Sequence, residues 1–175
     1  VPFELMNPLT TPSKSNQNPE TDHPPASETD DQGFSLQADW RVGEHTLTSI
    51  TAVNDWEYEF TEDQDWSGFD FSQVLPFLPS GGIAPNSWTE TELFSQEFRL
   101  LSPSGGSWEY MVGLYYADAE TNRVYENTFP LTFTSSDATT STETFAAFGQ
   151  LTWRMTDDTH LTLGGRYNDE EYTVD

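Results

Sequence analysis

Apolar and polar residues alternate with period two along most of this 175-residue chain. The clearest case runs from Trp108 to Tyr116. Trp108, Tyr110, Val112, Leu114 and Tyr116 share one face of an extended strand, and Glu109, Met111, Gly113 and Tyr115 share the other. The first face carries rings near its ends and aliphatics between. The same alternation places Phe34, Leu36, Ala38 and Trp40 together, and Phe98 and Leu100 opposite Glu97 and Arg99. It recurs at Phe145, Ala147, Gly149, Leu151 and Trp153, and at Leu161, Leu163, Gly165 and Tyr167 opposite Arg166. The run from Thr46 to Phe60 is also strand-like. There either Leu47, Ser49, Thr51 and Val53 form the apolar side, or Ile50, Ala52, Trp56, Tyr58 and Phe60 do; the first choice fits better near the turn.

The breaks in this pattern fall in a regular order. Short turns are expected at 42–45, 102–107 and 154–159. Long polar, acidic segments are expected at 1–33, 61–92 and 126–142. Six of the 11 prolines lie in residues 1–33, which read as an extended arm ahead of a body at 34–175. In an up-and-down meander every second connection lies at the same end, so all long loops share one rim. A transmembrane β-barrel sorts its loops in this way, whereas a soluble sandwich has no reason to. The expected fold is therefore all-β, an antiparallel meander of about six strands from an incomplete transmembrane barrel. On that reading Trp108, Tyr110, Val112, Leu114, Tyr116, Leu161, Leu163 and Tyr167 face lipid. Glu97, Arg99, Glu109 and Arg166 face the lumen. The rival reading is a secreted, soluble all-β carbohydrate-binding module of sandwich type.

Composition narrows the function. The formal net charge is −24, with one lysine, which disfavours nucleic acid as a partner. Cysteine is absent, so disulfides, thiolate metal sites and cysteine nucleophiles are excluded. The mean hydropathy of −0.64 and the lack of a long apolar run exclude a transmembrane helix but not a barrel, whose strands alternate. The chain starts at Val1 without a leader pattern, which suggests a processed chain or an internal fragment.

Candidate chemistry is sparse. Trp66, Phe69, Phe71, Phe77 and Trp88 are concentrated in one expected loop, where ring faces could bind a sugar or an aromatic ligand. Asp63, Asp65 and Gly68 match the start of a calcium loop, with Asp70 nearby, but Val74 stands where a bidentate Glu is needed. Asp63, Asp65 and Asp70 are thus a weak metal candidate, and a solvated acidic loop is the simpler reading. Glu170 and Glu171 alternate to opposite faces, and Asp157 and Asp158 suit a turn, so no catalytic pair is expected. His23, His45 and His160 are isolated. No enzyme activity and no cofactor are expected.

Four stretches in order carry a family resemblance. They are Leu47 to Trp56, Phe94 to Pro103, Glu109 to Tyr116, and Phe145 to Gln150 followed by Leu161 to Tyr167. Together they resemble barrel strands of TonB-dependent outer-membrane receptors over residues 34–172. The resemblance implies an energy-coupled importer of a scarce ligand such as a siderophore, cobalamin, saccharide or aromatic compound. It further implies the outer membrane of a Gram-negative bacterium and contact with its lipid. The other implied partners are the remaining barrel strands and plug domain, and TonB through a segment outside this chain. Such barrels have about 22 strands and a plugged lumen, so six strands would be part of the wall.

Overall fold

The computed structural model describes residues 13–15, 21–64, 68–73, 76, 85–129 and 132–175, with backbone alone for Phe71, Thr128, Phe129, Thr132 and Phe133. Six strands follow one another: β1 (Ala26–Val42), β2 (His45–Thr61), β3 (Asn86–Leu101), β4 (Trp108–Phe129), β5 (Thr132–Arg154) and β6 (His160–Val174). They form one antiparallel sheet in the order β1-β2-β3-β4-β5-β6, which does not close. The remaining described element is a 3-10 turn at Phe71–Gln73. No described helix is long and apolar enough to cross a membrane.

The strands form where β-branched and aromatic residues alternate with polar ones, because such side chains pack well on a pleated surface. The turns use local chemistry. Gly43 adopts φ 65° and Gly105 φ 88°, a region that residues with a Cβ rarely occupy. In the turn after β5, the Met155 amide donates to the Thr159 carbonyl at 2.9 Å. Arg154 N–H donates to the Ser107 carbonyl, tying this turn to the one before β4.

The strands extend further than the alternation alone indicates. β1 begins at Ala26, so the boundary expected at residue 33 falls inside a strand. β3 begins at Asn86, which puts Trp88 on a strand rather than in a loop. The largest correction concerns residues 126–142. They are not a long loop, since β4 runs to Phe129 and β5 starts at Thr132. Thr132 to Thr142 is rich in threonine, a strand former, yet polar on both faces. A strand with polar residues on both faces leaves no alternation to read.

The chain groups into two compact units, described separately here: residues 1–30, 57–90 and 122–138, and residues 31–56, 91–121 and 139–175. The second unit contains the three short turns and the strongly alternating strand segments. Its β5–β6 register pairs Trp153 with Leu161, Leu151 with Leu163, Gly149 with Gly165 and Ala147 with Tyr167. Opposed residues in an antiparallel pair lie on the same face, so these residues share a surface.

Candidate functional site, a two-faced sheet

In the second unit one face of the sheet is apolar and open. Trp108 is 52% exposed and Leu114 49%, although neither is polar. Tyr110, Val112, Tyr116, Leu161, Leu163 and Tyr167 are exposed as well. Contacts between strands join these residues into one surface. Trp108 stacks on Trp153 with ring centres 5.3 Å apart and planes 7° from parallel. His45 Nε2 and the Tyr110 hydroxyl lie 2.7 Å apart. Phe94 meets Tyr116 with ring centres 6.5 Å apart. Phe34, Val53 and Phe94 line one groove, which adds β1 and β2 to the same face. On β2, Leu47, Ser49, Thr51 and Val53 therefore share the apolar side.

Rings gather in two rows on this face. Trp40, Trp108, Tyr110 and Trp153 lie toward the short turns. Phe34, Phe94, Tyr116, Phe145 and Tyr167 lie at the other end of the apolar stretches, with Leu36, Phe98, Val112, Leu114, Leu151 and Leu163 between. From Trp108 to Tyr116, eight steps of about 3.4 Å give roughly 27 Å of strand. At a tilt near 40° that is about 21 Å of height, close to the apolar band of a barrel wall. Gln96 interrupts the band but is internally satisfied. Its Nε2 donates to Ser49 Oγ at 2.9 Å, and its Oε1 accepts from Thr51 Oγ1 at 2.5 Å.

The opposite face is polar and closely packed. Arg99 pairs with Glu97. Arg154 pairs with Glu109 at 2.8 Å, and the same Glu109 Oε1 accepts the Gly105 amide at 2.7 Å. The Arg166 guanidinium lies over two rings, 5.4 Å from the centre of Tyr115 and 5.5 Å from that of Phe148, and its Nε donates to Asn168 Oδ1. The Phe148 ring fills the space over Gly113, where an added Cβ would come within 2.3 Å of its Cζ. Ala146 is fully buried and Ala117 nearly so. Glu97, Arg99, Glu109 and Arg166 thus occur on one face, with partners that sequence reasoning missed. Arg154 falls within the turn expected at 154–159 but ends β5, and neither Phe148 nor Tyr115 carries a signal before the register is known.

The first unit holds the loop candidates. Trp66, Phe77 and Asp65 lie outside the described residues, as does the Phe71 side chain. Phe69 is half-buried. Trp88 lines a groove of about 230 Å³ with Glu28, Asp30, Glu57 and Glu59. The structure does not bring the described aromatics together around one cavity. Asp63 is buried, and Asp70 caps the 3-10 turn, its Oδ1 accepting the Ser72 amide at 2.9 Å. Asp22, in the segment read as an arm, lies near both. Burial, and then the Asp63 charge, raise its carboxyl above the ordinary Asp range. His23 bonds to Thr61 at 3.1 Å.

One open sheet with a banded apolar face and an ion-paired opposite face has the architecture of a membrane-barrel wall. The chain belongs to the TonB-dependent receptor-like β-barrel family, whose model matches residues 3–175. Among solved structures it is similar to the ferric yersiniabactin uptake receptor FyuA from Yersinia pestis. The match has a TM-score of 0.60 and 18% identity, and covers 86% of this chain and 25% of that one. The chain therefore spans about a quarter of that receptor. A comparison with curated proteins gave no match.

Proposed function

We propose that this chain is a stretch of the wall of an energy-coupled uptake receptor in the outer membrane of a Gram-negative bacterium. The observation that carries this reading is the pair of aromatic rows on an exposed face, with Trp108 and Tyr116 eight residues apart on β4 and apolar residues between them. Water does not favour so large a continuous apolar surface, and a bilayer does. Trp108, Tyr110, Val112, Leu114, Tyr116, Leu161, Leu163 and Tyr167 face lipid. Glu97, Arg99, Glu109 and Arg166 face the lumen and the plug. The six strands form a single sheet, so nothing among the described residues encloses the stripe as a sandwich would.

The receptor imports a small ligand, with TonB acting through a segment outside this chain. Membership of a receptor family supports transport rather than catalysis. Trp66, Phe69, Phe71, Phe77 and Trp88 contribute ring surface to ligand capture. The test is uptake by cells whose growth depends on the intact receptor. A W66A/W88A variant should lower uptake at limiting ligand while leaving the receptor in the outer membrane. Unchanged uptake would remove these rings from the ligand site, and uptake independent of the proton gradient would remove the energy-coupled reading.

A further inference from the structure

We propose that Arg166 is a docking point for the plug, its guanidinium held ready on the lumen face to clasp a carboxylate of that domain. The inference rests on the reading above, in which this chain is wall around a plugged lumen. The arrangement begins with a missing side chain. Gly113 leaves a gap on β4, and the Phe148 ring lies in it. Phe148 stands opposite Arg166 in the β5–β6 register. Arg166 follows the ring, so that its guanidinium lies 5.5 Å from the centre of Phe148 and 5.4 Å from that of Tyr115 on β4. Its Nε donates to Asn168 Oδ1 at 2.6 Å. Two rings and one amide oxygen thus fix the head of a side chain that otherwise has wide rotamer freedom.

What this leaves free is specific. With Nε occupied, the two terminal nitrogens present a pair of N–H donors, the fork that meets a carboxylate in bidentate fashion. Among the described residues Arg166 forms no ion pair. On the same face Glu97 is taken by Arg99, and Glu109 by Arg154 and the Gly105 amide. Ala146, Phe148 and Gln150, which face this part of β6 from β5, are not acidic. Glu170 lies four residues further along β6, roughly 14 Å at the rise of a strand. Gly164, two positions before Arg166 on that face, has no side chain to cover it, and Arg166 is exposed.

The direction of the side chain selects the occupant. The guanidinium leans across β5 toward β4, away from the far edge of β6. Strands lie about 4.8 Å apart, so an acid on a strand beyond β6 would have to reach over β6 to meet it. An acid standing in the lumen meets it directly, and in large receptors of this class the lumen is filled by a plug. The partner is therefore an Asp or Glu of the plug at the level of Gly113, within the span from Trp108 to Tyr116. Enclosed between wall and plug, such a pair is less screened than one at an open surface.

The experiment is hydrogen exchange on the intact, ligand-free receptor containing this chain, read peptide by peptide. In an R166Q variant one plug segment bearing an Asp or Glu should exchange about tenfold faster or more, while β4 to β6 keep their protection. R166K, which keeps the charge and loses the fork, should fall between R166Q and the wild type. Neutralising the acids of that segment one at a time should find one whose loss speeds exchange in the wild type and adds nothing to R166Q. Unchanged plug exchange in R166Q would overturn the proposal. So would faster exchange confined to β4 to β6, since Arg166 then only braces the wall. Coupling to an acid on a neighbouring barrel strand, in place of a plug acid, would overturn it too. A wild-type receptor with no protected domain in its lumen sinks the receptor reading and this contact with it, whereas a protected plug indifferent to R166Q sinks the contact alone.

Discussion

The two faces of the sheet in the second unit solve opposite problems with the same backbone. One exposes Trp108, Val112, Leu114 and Leu163 without cover. The other hides Ala146, packs Phe148 over Gly113 and pairs arginines with glutamates. A water-soluble sheet buries its apolar face and solvates its polar one. Here exposure and polarity are inverted, so the solvent of the exposed face is proposed to be lipid. Counting apolar residues misses this, since only 34% of the chain is hydrophobic. The information is in which face those residues share.

The sharpest way to break the comparison is to place one charge on each face. Leu114→Arg puts a guanidinium at the centre of the apolar band and should cost about 2–4 kcal/mol of stability in vesicles, measured by denaturant titration. Gln150→Arg, on the opposite face across from Gly164, should stay within about 0.5 kcal/mol. Equal, small effects would mean that both faces see water. A smaller effect belongs to the packed face. Gly113→Ala forces the Phe148 ring away and should cost about 1–3 kcal/mol by overpacking. Adding Phe148→Leu should recover part of that loss, because the two changes share one cavity.

The smallest effect lies in the first unit, which has no comparable apolar face among its described residues. Folding favours the protonated form of Asp22, so its contribution is fully present at low pH and is lost as pH rises through its raised pKa. Hydrogen-exchange protection around Asp22, taken relative to the intrinsic exchange rate at each pH, should fall over that window, from the ordinary Asp range upward. Asp22→Asn should remove this pH dependence and slow exchange at neutral pH. A pH-independent wild type would show that neither burial nor the Asp63 charge raises its pKa.

What was legible in the sequence follows from the same contrast. Period-two alternation reveals a strand when its two faces meet different surroundings, as at Trp108 to Tyr116. It is silent where both faces carry polar residues, which is why Thr132 to Thr142 resembles a loop and the start of β1 resembles an arm. Face assignments for Glu97, Arg99, Glu109 and Arg166 follow from parity alone. Their partners do not, because pairing Phe148 with Arg166 requires the β5–β6 register. The Asp22 neighbourhood joins residues about 40 positions apart and leaves no local signal.

The central claim is that one face of this sheet touches lipid. Quenching by brominated lipids tests it most directly, with intact receptors that each keep a single tryptophan of this chain. Trp108 and Trp153 should be quenched strongly by bromines placed near the headgroup. Trp56, which alternates to the other side of β2, should be quenched far less. Equal quenching of Trp56, or none at Trp108 and Trp153, would contradict the account.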